Sequence, residues 1–247
     1  MFTPASAGSA RDLAARAIQG AEQVFPLLLS ITSPDGRAAI ANVPVTSFAD
    51  DAGKRNAAVR LKELYDHYGS DKARYHDYHL LYGPLLSKPS SVTALLEIGL
   101  GTNNPRLVSN MGKKGSPGAS LRAFRDFLPK AQVYGADIDR KILFQEDRVA
   151  TFFVDQTDPA SLKALGGMVG DDFDLIIDDG LHSPNANLAV LDFGLRKLKV
   201  GGWLVVEDIR REALPIWQLA AAIIPRQFEA RLVAARKAAL FAVQRVA

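Results

Sequence analysis

From residue 92 onward, short apolar runs alternate with stretches of helical spacing. The runs "VTALLEIGLG", "AQVYGADID", "VATFFVDQ", "FDLIIDDG" and "GGWLVVEDI" are bounded by glycine or acidic residues, a pattern that predicts buried strands. Between them, "GASLRAFRDFLP", "DPASLKALGGMV" and "NANLAVLDFGLRKLK" predict helices, the second capped by Asp158 with Pro159 in its first turn. Apolar strands alternating with helices of this length require right-handed crossovers. The expected fold class is therefore α/β, with a doubly wound, mostly parallel sheet.

Ahead of the first run the pattern is different. "ARDLAARAIQGAEQVF" reads as an amphipathic helix followed by the turn-prone "TSPDGRA". "KRNAAVRLKELYDHYG" has helical spacing and stops at Gly69, and "SDKARYHDYHLLYGPLL" starts a further helix at a Ser70 or Asp71 cap. Residues 1–55 read as an N-terminal cap or lid and residues 56–247 as the ligand-binding domain. The last stretch, "RQFEARLVAARKAALFAVQRVA", is helical by propensity, although "FEARLV" and "ALFAVQRV" also fit two antiparallel strands. Trp217, in "REALPIWQLAAAII", reads either as pocket lining or as core.

Composition narrows the function classes. The absence of cysteine excludes a disulfide framework and any thiol nucleophile or thiolate zinc site, leaving oxygen and imidazole as metal ligands. A net charge of +3 with scattered basic residues gives no footprint for nucleic acid. The apolar run "VFPLLLSI" falls far short of the ~20 residues needed to span a membrane and lacks the flanks of a secretory signal. A cytoplasmic protein without a membrane span is the expectation.

The chemistry-bearing residues sit at the carboxyl ends of the expected strands, where open α/β sheets bind ligands. Gly99 and Gly101 allow a sharp turn and close approach to a ligand. Asn104 stands where a dinucleotide fingerprint has its third glycine, which argues against a nicotinamide-dependent oxidoreductase. Asp137 and Asp139 end the second strand, where a carboxylate accepts from ribose hydroxyls, although Asp139 also fits a helix cap. Asp155 and Gln156 end the third, beside the position of a base. Together these strand ends predict a nucleoside site.

The motifs "LEIGLG", "YGADID", "FVDQTD" and "LKVGGWLVVEDI" resemble those of class I S-adenosylmethionine-dependent methyltransferases, over about residues 60–247. The resemblance implies a seven-stranded sheet of order 3-2-1-4-5-7-6 that ends in an antiparallel hairpin, so "FEARLV" and "ALFAVQRV" become strands. It implies S-adenosylmethionine as cofactor, held by Glu97, Gly99, Gly101, Asn103, Asp137, Asp155, Gln156 and Asp178. "DQTD", "IIDDGLH" and "YGSDK" look most like metal-dependent sugar O-methyltransferases of macrolide tailoring and cephalosporin-hydroxylase-like proteins of bacterial polysaccharide clusters. The acceptor implied is a sugar hydroxyl or glycosylated small molecule, and homo-oligomers are common among such enzymes. Leu181 replaces a more usual serine, and residues 102–117 form an insertion that reshapes the acceptor side.

In this fold the fourth and fifth strands are neighbours, so Asp179, Glu207 and Asp208 emerge at one edge. Carboxylates this close repel unless a cation or donor intervenes, which predicts a hard divalent ion, Mg²⁺ first and Mn²⁺ second. Asp178 faces away from Asp179 and is left to support the turn. His182 is placed to act as general base on the acceptor hydroxyl, with Asp179 as its catalytic partner through the metal. A non-haem iron site is disfavoured, since His67, His76 and His79 all precede the sheet. The segment "YGSDKARYHDYHLLY" reads either as a helix packing Tyr75, Tyr78, Leu80 and Tyr82 on the sheet with its histidines exposed, or as a lid that sets Lys72 near the methionine carboxylate of the cofactor. The Gly-rich loop ending near Gly118 meets a helix N-terminus and reads either as an anion site or as a mobile solvated loop. Alternative readings are a non-catalytic S-adenosylmethionine-binding protein and a metal-independent methyltransferase of another small molecule.

Overall fold

The structure is a computed structural model describing residues 40–247, together with Ser9 and residues 23–25, 27–28 and 31. The helix expected over residues 10–25 lies mostly, and the turn at 32–38 wholly, outside these residues. Most of the expected cap, residues 1–55, lies outside them too. Its described end supplies strand β1 (Ala41–Pro44), and helix α1 (Ala52–Tyr68) runs through the division expected at residue 55.

Asp51 caps α1 by accepting from the Lys54 amide at 2.8 Å, and Gly69 ends it in the left-handed region, φ 78°. The single helix expected over 70–86 is two: α2 (Asp71–Arg74), capped by Ser70, and α3 (His79–Leu85). Asp77 divides them at φ 63°, a conformation that interrupts right-handed helix. The remaining helices are α4 (Ala119–Phe127), α5 (Pro159–Val169), α6 (Pro184–Leu195) and α7 (Leu214–Ile223). Asp158 accepts from the Ala160 amide and caps α5 as expected.

The other strands are β2 (Ala94–Ile98), β3 (Gln132–Asp137), β4 (Gln145–Glu146), β5 (Val149–Phe153), β6 (Phe173–Asp178), β7 (Leu198–Ile209), β8 (Phe228–Ala234) and β9 (Ala239–Arg245). The sheet has nine strands, ordered β1-β8-β9-β7-β6-β2-β3-β5-β4, where seven were expected. The additions are the edges: β1 runs parallel to β8, and the short β4 antiparallel to β5. Between them lie β8-β9-β7-β6-β2-β3-β5, with β8 and β9 forming an antiparallel hairpin. Burial of Leu232, Val233 and the apolar residues of β9 against the sheet overrides the helical propensity of this stretch.

Strand alternation builds two apolar layers. Leu95, Leu175, Ile177 and Val205 face α1, α3 and α4, while Leu96, Ile176, Leu204 and Val206 face α5, α6 and α7. Trp217 is core, buried against Phe241 with ring centroids 4.8 Å apart. Among the described residues, no helix is long and apolar enough to cross a membrane.

The register positions the site. Ile98 pairs with Asp178, and Asp178 with Val206, so Gly99, Asp179 and Glu207 leave the sheet side by side. The β7–β9 register shifts between Val206 and Ile209, and Asp208 within that irregularity has φ 55°. Such a bulge re-aims a side chain that straight alternation would have turned from its neighbour.

Candidate active site

A cavity of about 390 Å³ opens at the carboxyl edge of the central parallel strands. Gly99 and Gly101 both line it with positive φ, 95° and 77°. A Cβ on Gly99 would sit 2.0 Å from the Asp179 carbonyl oxygen; on Gly101 it would meet Met111 Sδ at 1.8 Å. Only glycine lets the β2 turn pass so close to the β6 turn. Asp137 accepts from the Leu100 amide at 2.7 Å and the Asp139 amide at 2.8 Å, which fixes the turns of both strands. Burial raises its pKa against the pull of those amides. Asp139 accepts from Thr102 Oγ1 and the Lys141 amide, so it caps a turn.

The remaining expected cofactor residues divide. Asp155 lines the cavity and accepts from Thr157. Gln156 lines it too, yet its amide bridges Asp178 Oδ1 at 2.6 Å and the Leu181 N–H at 2.8 Å. Asp178 is fully buried, with Asn187 Nδ2 on its second oxygen at 2.8 Å, and does not line the cavity. Asp178, expected among the cofactor residues, thus stands behind the cavity wall, where its bonds to Gln156 and Asn187 support the β6 turn. Asn103 is likewise outside the lining, tied by Nδ2 to the Gly115 carbonyl. The insertion instead reaches the cavity through Leu107, Val108 and Met111. Ala119 and Ser120, in the first turn of α4, line it as well.

The acidic cluster is organised by a residue assigned elsewhere. Lys72 is buried, and its ammonium lies 2.6 Å from Asp179 Oδ2, 2.6 Å from Glu207 Oε2 and 3.1 Å from Glu97 Oε1. Burial alone would push its pKa down, but these carboxylates outweigh it and hold the amine charged. Tyr82 donates to Glu207 Oε1 at 2.5 Å, Tyr78 to Asp208 Oδ1, and Ser120 to Glu97 at 2.6 Å. Burial and the neighbouring Asp179 charge push the Glu207 carboxyl well above its usual range. One ammonium does not neutralise this many acids. Lys72 therefore serves as the intervening cation within the cluster, and it also lines the cavity where a contact to the methionine end of the cofactor is expected.

Asp179 Oδ1 and Asp208 Oδ2 turn toward His182 Nε2, at 3.8 and 3.9 Å. One ligand atom from each of Asp179, His182 and Asp208 lies within 4.8 Å of the others. Asp179 and Asp208 thus meet as expected. Glu207 does not join them, because Lys72 and Tyr82 hold both its oxygens on the buried side. His182, at φ 54°, leaves Nδ1 without a protein partner among the described residues. His76, counted away from the site on sequence, reaches Asp208 Oδ1 at 3.5 Å through Nδ1. Tyr78, Tyr82 and His76, which were not expected at the site, and Lys72, whose place among the acids was not foreseen, all come from "DKARYHDYHLLY". Tyr78 and Tyr82 are spaced to share a helix face, a signal read only as packing.

A mixed sheet with helices on both faces, a glycine turn after β2 and acids after β3 and β5 define a methyltransferase-like α/β fold. No family model matches the chain. Its homologues are sugar O-methyltransferases. Over 153 residues it is 33% identical to 8-demethyl-8-alpha-L-rhamnosyl tetracenomycin-C 2'-O-methyltransferase of Streptomyces olivaceus, covering 61% of this chain and 38% of that protein. It is 38% identical to mycinamicin VI 2''-O-methyltransferase of Micromonospora griseorubida over 93 residues, 37% of this chain and 23% of the relative. The MycE methyltransferase of the mycinamycin biosynthetic pathway, solved in complex with Mg and SAH, superposes with TM-score 0.51 at 30% identity. That match covers 60% of this chain and 39% of the other. The chain therefore spans well under two thirds of the length of these relatives.

Proposed function

We propose that the chain is an S-adenosylmethionine-dependent, Mg²⁺-dependent O-methyltransferase acting on a sugar hydroxyl of a glycosylated small molecule. The carrying observation is the meeting of Asp179, Asp208 and His182 at the rim of the glycine-lined cavity. In MycE the same fold holds Mg and SAH.

The residues fit both groups. Gly99 and Gly101 open the backbone to the cofactor, with Asp137 at the strand end where ribose hydroxyls are accepted and Asp155 at the one beside the exocyclic amine of the base. Bound there, S-adenosylmethionine supplies an electrophilic methyl, and a divalent ion on the carboxylates lowers the pKa of an adjacent hydroxyl. Asp179 and Asp208 offer the hard oxygen donors that Mg²⁺ prefers, and a single imidazole beside them also suits Mn²⁺.

The chain's own work is alignment and proton removal. Neutral imidazole has one lone pair to give, so His182 Nε2 acts as the base only while the carboxylates, and not that nitrogen, hold the ion. The loop 107–111 and His182 flank the space where an acceptor hydroxyl would align with the methyl, and such alignment is most of what an in-line transfer requires. Calorimetric titration with S-adenosylmethionine, then with Mg²⁺, tests the reading, and a panel of glycosylated acceptors tests the substrate class. Absence of S-adenosylmethionine binding would end it, while activity persisting in EDTA would remove the metal and keep methyl transfer.

A further inference from the structure

Lys72 is placed as no packing residue needs to be. Its side chain is 3% exposed, and three strands contribute a carboxylate to it: Glu97 from β2, Asp179 after β6 and Glu207 from β7. The ammonium sits between Asp179 Oδ2 and Glu207 Oε2, 2.6 Å from each. A divalent ion held by both Asp179 Oδ2 and Glu207 Oε2 would compete with the ammonium for the same two oxygens. A divalent ion there and the ammonium cannot both be present, since they would repel at contact distance. Lys72 is also carried on a segment bounded by two left-handed residues, Gly69 at φ 78° and Asp77 at φ 63°. The same segment, through Ser70, Asp71 and Lys72, lines the cofactor cavity.

We propose that Lys72 is a resident surrogate cation: its ammonium fills the carboxylate cluster when no divalent ion is bound, and the ion enters by displacing it from Asp179 and Glu207. Displacement frees Glu207 Oε2 to join Asp179 and Asp208 around the ion. It also moves the 70–76 segment at the cavity wall, so ion binding is felt where the cofactor binds. Lys72 is a positioning residue in this account, acting through the carboxylates and touching neither substrate nor methyl group. The inference rests on the metal reading above.

Mn²⁺ affinity of the full chain, measured by calorimetry without cofactor or acceptor, tests it. Lys72→Met, which removes the competing charge and keeps the side chain's bulk, is expected to bind Mn²⁺ at least tenfold more tightly than the wild type, and Lys72→Arg, which keeps the charge, is not. Equal or weaker binding by Lys72→Met overturns the proposal, because a purely structural lysine would organise the ligands and its loss would weaken them. A wild type that binds no Mn²⁺ removes the metal reading itself, and with it the displacement. A second measurement needs no variant: acylation of Lys72, followed by mass spectrometry, should rise severalfold when the wild type is saturated with Mg²⁺. Unchanged labelling overturns displacement even if Lys72→Met fails to fold.

Discussion

Lys72 Nζ and Glu207 Oε2 lie 2.6 Å apart in the buried centre of the molecule, and Tyr82 donates to the other Glu207 oxygen at 2.5 Å. Both Glu207 oxygens are held inside the protein, while Asp208, the next residue, turns its Oδ2 toward His182. The bulge in β7 lets neighbours in sequence serve different sides of the site.

Tyr82→Phe removes the hydroxyl and leaves Glu207 Oε1 buried without its donor. Leaving a buried acceptor without its partner costs about 1–3 kcal/mol, and this pair is buried. Chemical denaturation of metal-free protein should show a loss of that size. A change within error would mean that Glu207 finds another donor, and that Tyr82 only packs.

Gly99→Ala and Gly101→Ala should differ in severity. Each imposes the left-handed conformation on a residue with a Cβ, at about 1–2 kcal/mol. At Gly101 the new methyl meets the flexible end of Met111, but at Gly99 it meets backbone of Asp179 and Gly180, at 2.0–2.7 Å. Gly99→Ala is expected to show the larger fall in melting temperature and in S-adenosylmethionine affinity, because it pushes the β2 and β6 turns apart. Equal effects in calorimetry would show that the close approach of these turns is unimportant.

Much of this was legible in the sequence. The parallel strands, the Asp158 and Gly69 stops and the approach of Asp179 to Asp208 follow from periodicity, end signals and strand adjacency. The two edge strands were not: β4 is only Gln145–Glu146, and β1 lies in a segment whose pattern carries no strand signal. Nor was the role of "DKARYHDYHLLY". Its lysine is apolar in placement and polar in chemistry, and only the fold reveals that α2 sets it beneath three strand ends. Helical spacing predicted one amphipathic helix there, whereas the break at Asp77 lets Lys72 from α2, Tyr78 at the start of α3 and Tyr82 within it converge on one acidic cluster.

His182→Gln separates base from ligand. If Nε2 removes the acceptor proton, kcat falls by the ~10²–10⁴ typical of lost general-base catalysis, while Mn²⁺ affinity changes little because Asp179 and Asp208 remain. A parallel collapse of ion affinity and kcat would instead make His182 a ligand, and the base would have to be sought elsewhere.

His79 gives the fold an acid-sensitive point away from the cavity. It opens α3, is 8% exposed, and its Nδ1 has no partner among the described residues. Burial lowers its pKa below the usual 6.5, and the nearby Asp77 carboxylate only partly opposes this. The folded state thus prefers neutral imidazole. Above pH 6.5 both states are neutral and the preference has no effect; as pH falls below 6.5 the unfolded chain takes up a proton that the folded chain resists, and stability is lost down to the depressed folded value. His79→Gln cannot titrate. Its melting temperature, whatever its value at pH 7.5, should therefore fall less than that of the wild type between pH 6.5 and 5. Parallel falls for the two proteins would show that His79 is solvated, or paired with Asp77, in solution.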